Sequence, residues 1–131
     1  VIKGTRSEAL KQFALNVMYA YDIIEEDVEI NFEDRHWLVP DAYGYTSYDD
    51  SNVCIDIYRN AQGRRLTFDE LRISLLHELT HAKQFLKGEL QYTDKVGTMV
   101  WKGCRYEGIP AHEQPWEIEA YSVEKDFKKF K

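Results

Sequence analysis

The stretch Leu75-Leu76-His77-Glu78-Leu79-Thr80-His81-Ala82-Lys83-Gln84 decides how this chain is read. Its apolar letters fall three and four apart, and the pattern runs on in both directions. Phe68, Leu71, Leu75, Leu79, Ala82 and Leu86 mark one stripe of a helix. Ile73, Leu76 and Phe85 add apolar surface outside that stripe, which predicts a central helix packed on two faces. Both ends are marked: Thr67 and Glu70 spell a capping box, and Gly88 after Lys87 is a C-terminal stop. In the middle of this apolar helix stand two histidines four residues apart, with a glutamate directly after the first.

On a helix, residues i and i+4 share a face one turn apart. His77 and His81 therefore present two imidazoles together, which suits two corners of a zinc tetrahedron with Zn–N near about 2.0–2.1 Å. Glu78 is turned by about 100° around the axis. It stands beside such a metal rather than on it, where a carboxylate can take a proton from a water that zinc has acidified and pass it to a leaving amine. This is the chemistry of the H-E-x-x-H pattern. On a solvated face the same letters would need no metal. Here Leu75, Leu76, Leu79 and Ala82 surround them, so the histidines are expected to bind one.

A catalytic zinc takes a third protein ligand and keeps one position open. Glu117 and Glu119 in Trp116–Tyr121 (WEIEAY) and His112 in the loop AHEQP are the candidates. The two glutamates flank the apolar stripe Trp116, Ala120, Val123 and Phe127 on opposite sides, so helical geometry does not choose between them. Both also suit a helix N-terminus through the dipole alone.

Working outward, Val53, Ile55 and Ile57 alternate with Cys54, Asp56 and Tyr58, the clearest strand in the chain. Asp49–Asn52 is a turn signal, and the Tyr-rich run up to Tyr48 reads as extended, a sheet face. Val28, Ile30 and Phe32 form another alternating strand. Thr5 and Glu8 spell a capping box for a first amphipathic helix over about residues 6–21, with Leu10, Phe13, Ala14, Val17, Met18 and Tyr21 at helical spacing. Asn60–Arg65 reads as a loop. Downstream, Thr98–Tyr106 reads as a short hairpin or irregular extended segment turning at Lys102-Gly103, and Pro115 suits the first position of a third helix. The order predicts an α+β domain.

With 131 residues the chain fits one domain, residues 1–131. At 44% hydrophobic and 14% aromatic it has the composition of a folded protein. A net charge of −6 without a Lys/Arg block argues against a nucleic-acid partner. No stretch approaches the ~18–20 apolar residues of a membrane span. No signal peptide is visible, and a cytoplasmic location is expected. Cys54 and Cys104 are far apart with no CxxC, which disfavours a cysteine zinc site. Cys54 is expected to be a reduced buried thiol, a single disulfide between the two being the alternative. Oligomeric state is left open.

HELTH at residues 77–81, followed 36 residues after His81 by Glu117-Ile118-Glu119-Ala120, resembles the gluzincin branch of zinc metallopeptidases. The resemblance implies that His77, His81 and Glu117 hold Zn2+, because Ala120 stands three residues after Glu117 as in the family's Glu-x-x-Ala. Tyr121 then occupies the place where the family often has an Asp or Asn supporting a ligand histidine. The small size is similar to compact minigluzincins and to SprT-like or phage-encoded metallopeptidase domains, which implies a phage or bacterial origin. The SprT-like branch would put His112 in the place of Glu117. The resemblance spans about residues 5–128.

It implies a zincin-like fold: an N-terminal helix, a small twisted and mostly antiparallel sheet, the central HExxH helix, and a C-terminal helix carrying the third ligand. It implies an edge strand over the cleft that pairs with extended substrate, by analogy Val53–Tyr58. It implies an oxyanion donor from outside the HExxH helix, with Tyr106, His112 and Tyr121 as candidates. The expected function is a zinc-dependent peptidase acting on a peptide or protein, with Glu78 as general base. The alternative is a catalytically weak or inactive zincin-fold metal-binding module acting through protein–protein interaction.

Overall fold

The computed structural model describes residues 1–130. In chain order the regular elements are β1 (Ile2–Lys3), α1 (Glu8–Ala20), β2 (Val28–Glu33), β3 (Gly44–Tyr48), β4 (Val53–Tyr58), β5 (Asn60–Ala61), β6 (Arg64–Arg65), α2 (Phe68–Leu86), β7 (Leu90–Tyr92), β8 (Thr98–Trp101), β9 (Cys104–Glu107) and α3 (Pro115–Val123). A one-turn 3-10 helix, Ala111–Glu113, precedes α3, and a second, Glu124–Phe130, continues it. The fold is α+β, as the order of sequence signals predicts.

The alternation in β2 and β4 sets the main sheet. Val28, Ile30 and Phe32 of β2 and Val53, Ile55 and Ile57 of β4 all point to one face and are buried there. They pack with Leu10, Phe13, Ala14, Val17 and Met18 of α1 and with Leu75, Leu76, Leu79 and Ala82 of α2 in one core. Each buried Val, Leu, Ile, Phe or Met side chain among them contributes about 1.5–3 kcal/mol. The opposite face of the sheet carries Glu29, Asn31, Cys54 and Asp56. Asn31 donates there to Glu29 Oε2 at 3.1 Å and to Asp56 Oδ1 at 3.4 Å.

Strand order corrects two expectations. The sheet runs β1-β2-β4-β3, with β1·β2 and β2·β4 parallel and only β3·β4 antiparallel. It is therefore not mostly antiparallel. The helix α1 crosses over between β1 and β2, and a helical crossover returns the chain in the same direction. Nor is Val53–Tyr58 an edge strand. The Asp49–Asn52 turn folds β4 back between β2 and β3, which leaves β3 outermost. A hairpin signal pairs two strands but does not say which of them takes the outer place.

Helix α1 starts two residues later than the Thr5–Glu8 reading predicts. Ser7 is the N-cap, its Oγ accepting from Leu10 N–H at 3.2 Å, while Thr5 Oγ1 accepts from Ser7 N–H in a local turn. The ends of α2 match their signals. Thr67 and Glu70 form the reciprocal capping box. Gly88 adopts φ +75°, and the bonds Glu89 N–H to Gln84 O and Gly88 N–H to Phe85 O close a Schellman motif.

Beyond α2, the expected hairpin at Lys102-Gly103 forms and gains a third strand, β7. This small sheet and α3 enclose a second apolar cluster of Phe85, Leu90, Trp101 and Trp116. The third helix ends at Val123 and tightens into 3-10 turns, whose Phe130 packs edge-on against Phe13. Cys54 is half-buried, Cys104 is exposed, and both are free thiols, so the disulfide alternative does not occur. Among the described residues, no helix is long and apolar enough to cross a membrane.

Candidate metal centre

Two helices and one strand bring the polar groups together. The inner stripe of α2 is buried in the core, so its next face, carrying His77, Glu78 and His81, looks toward α3 and the end of the sheet. Pro115 starts α3, and Trp116 and Ala120 bury its inner face, which places Glu117 against α2. His77 Nε2 lies 3.1 Å and His81 Nε2 2.9 Å from the same oxygen, Glu117 Oε1. Ligand atoms of these three residues all lie within 4.8 Å of one another.

The far nitrogens of both rings are also engaged. His77 Nδ1–H donates to Glu124 Oε2 at 2.8 Å, and His81 Nδ1–H donates to Gln84 Oε1 at 2.8 Å. With both Nδ1 atoms spent as donors, each Nε2 presents a lone pair to a carboxylate oxygen. Two acceptors repel unless a cation stands between them, either a proton on each ring or a metal ion shared by all three. The donor set therefore fits a divalent metal: two imidazoles and a carboxylate, in a partly buried cleft.

Proton affinities show the same demand for positive charge. Burial pulls His77 down, but Glu117, Glu78 and Glu124 outweigh it and raise it to about 9. His81 is lowered by burial and raised, on balance, chiefly by Glu117. Burial pushes Glu117 up, yet the bonds from His77 and His81 bring it down to about 2.

Glu78 is buried beside this trio without joining it. Thr46 of β3 donates its hydroxyl to Glu78 Oε1 at 2.7 Å. Burial raises the Glu78 carboxyl, against the opposing pull of His81, His77 and the Thr46 bond. The fit is close: a Cβ added at Gly44 would come within 2.9 Å of Glu78 Cγ and 3.1 Å of Asp56 O. The side chains line a cleft of about 830 Å³ that also includes Tyr45, Phe85, Met99, Tyr106, Trp116 and Tyr121.

The expected residues divide cleanly. His77, His81 and Glu117 meet, and Glu78 stands next to them. Tyr121 lies in the cleft, its ring 4.7 Å from that of His77, and burial together with Glu117, Glu124 and Glu78 raises its phenol pKa. Tyr106 lines the same cleft, edge-on to Trp116. His112 is exposed in the 3-10 turn before α3 and does not line the cleft with the trio. Glu119 points away, accepting from Gln84 Nε2 at 3.1 Å.

Glu124, Gln84 and Thr46 are additions that sequence reasoning missed. Glu124 stands seven residues, two turns, after Glu117, and Gln84 three after His81; either spacing places the pair on one face. Thr46 carries no such signal, since only the fold brings it to Glu78. The support for His77 comes from Glu124 rather than from the position of Tyr121. No family model matches this chain, and neither a curated protein nor a solved structure matches it.

Proposed function

We propose that this protein is a zinc-dependent peptidase with a zincin-like layout. The observation that carries the proposal is the meeting of His77 Nε2, His81 Nε2 and Glu117 Oε1 beside a buried glutamate in an open cleft. His77, His81 and Glu117 would hold the ion. When bound there, zinc supplies Lewis acidity, polarising a carbonyl and lowering the pKa of a water.

The chain's own residues supply the rest. Glu78 accepts the proton of the attacking water and delivers it to the leaving nitrogen. Its raised carboxyl pKa suits a group that must both take and give. Thr46 fixes which way that carboxylate faces. Tyr121 keeps its phenolic proton and donates it as a hydrogen bond toward the oxygen on which charge develops.

An extended peptide binds along β3. In β3·β4 the hydrogen-bonded pairs alternate, so Tyr45 and Ser47 spend their backbone groups on β4. Gly44 and Thr46 point theirs outward, toward a substrate strand, while the Tyr92 phenol takes up the backbone of Tyr48. A purely structural metal site would have no use for Glu78 or for an open edge beside it.

Metal analysis of the purified protein tests the proposal. About one zinc per chain is expected to survive purification, and His77→Ala and Glu117→Ala are expected to lose it on purification because they bind it more weakly. Glu78→Gln is expected to retain zinc and to lose about 10²–10⁴-fold in peptide hydrolysis. A wild-type chain that takes up no metal ends the proposal. Full activity in Glu78→Gln would remove the general-base role.

A further inference from the structure

Gln84 has no exposed surface at all, and it lies one turn beyond the motif. A buried amide is costly unless its oxygen and both N–H groups find partners. All three do. Oε1 accepts from His81 Nδ1–H at 2.8 Å, and Nε2 donates to Trp116 O at 3.0 Å and to Glu119 Oε1 at 3.1 Å.

The Trp116 carbonyl determines the orientation of this amide. A backbone oxygen can only accept, so the amide nitrogen must face it, and the amide oxygen must face His81. An amide oxygen also only accepts, so His81 Nδ1 must carry a proton. The remaining nitrogen, Nε2, is thereby left with its lone pair toward Glu117 and the cleft. A main-chain atom of α3 thus sets, through one side chain, the tautomer of a histidine on α2.

The same bond acts in the other direction. Trp116 immediately precedes Glu117 in the first turn of α3, so holding its carbonyl holds the turn from which Glu117 projects. We infer that Gln84 is a positioning residue that sets two of the three donors together: it orients His81 through Nδ1 and anchors the Trp116–Glu117 turn against α2. The inference rests on the metal-site reading above.

Zinc affinity, measured by competition with a chromophoric chelator, tests it in a double-mutant cycle. Gln84→Leu is expected to weaken zinc binding about 10–100-fold, while circular dichroism shows the metal-free fold retained. In a Glu117→Ala background, where titration with excess zinc reads the weaker affinity that His77 and His81 retain, the same change is expected to cost on the order of tenfold less, because the ligand that Gln84 helps to place is already gone. If the leucine variant does not fold, Gln84→Met, which keeps the length of the side chain, takes its place in the cycle.

An unchanged affinity in the Gln84 variant overturns the inference. So does an equal loss in both backgrounds, which would mean that Gln84 serves His81 alone. In either case wild-type zinc binding stands and the metal-site reading survives. Absence of zinc from the wild type would remove both together.

Discussion

At the scale of the residue, the site depends on close approaches. Gly44→Ala would press a methyl group onto Glu78 Cγ and the Asp56 carbonyl. It is expected to destabilise the protein by about 1–3 kcal/mol in urea unfolding and to lower kcat with zinc content unchanged. The ionisable trio gives the metal-free protein its own pH signature. His77 rises from 6.5 to about 9 on folding, so its contribution is complete below pH 6.5 and is lost as pH climbs through 9. Glu117 falls from 4.5 to about 2, so its contribution is complete above pH 4.5 and is lost as pH drops through 2. Urea midpoints of the metal-free chain are expected to peak between these limits, and added zinc should flatten the alkaline decline. Much of this was legible in the letters: His77, Glu78 and His81 by spacing, Glu117 by resemblance. Thr46 and Gly44 were not, because their part depends on a strand that the sequence places 32 residues from Glu78 and the fold places against it.

At the scale of the element, local signals predict structure well where both partners are near in sequence. The Thr67–Glu70 capping box and the Gly88 stop bound α2 as written, since each is satisfied within a few residues. Thr67→Ala is expected to cost about 1 kcal/mol in urea unfolding while leaving zinc content intact. The first helix starts two residues after its first capping signal because Thr5 and Ser7 both offer a capping oxygen, and only the path of the chain gives the helix to Ser7. Strand β7 gives no sequence signal, because its three residues are too few to show alternation. The exchange of places between β3 and β4 matters most for function. It moves the free edge to Gly44 and Thr46. N-methylation of the substrate residue that pairs with Thr46 is expected to raise KM by up to about tenfold, the worth of one hydrogen bond. An unchanged KM across a scan of N-methylated positions would take the edge strand out of recognition.

At the scale of the whole molecule, the chain is a one-sided stack. Helices cover one face of the main sheet, and the polar face of Glu29, Asn31 and Asp56 is left to solvent. The α+β class was legible from element order; the parallel pairing was not, since direction is a property of the crossover and not of the strands. The ion would tie α2 to α3, the helix whose continuation reaches back to α1 through Phe130. A ligand that binds only the folded state stabilises it by mass action, by about 4 kcal/mol at a thousandfold excess over Kd. Stripping the protein with a chelator is therefore expected to lower Tm, and restoring zinc should recover it. A Tm indifferent to both would mean that the two helices are not joined through metal.

Between Ser74 and Phe85 no residue of α2 is exposed. Leu75, Leu76, Leu79 and Ala82 belong to the core, His77, Glu78 and His81 to the cleft, and Gln84 to the joint with α3. A saturation library over these twelve positions should leave almost nothing unscathed. Variation in a lineage would then collect elsewhere, in the strand edges and loops around the cleft. If the proposed peptidase reading holds, such a chain can change what it cuts far more readily than how it cuts.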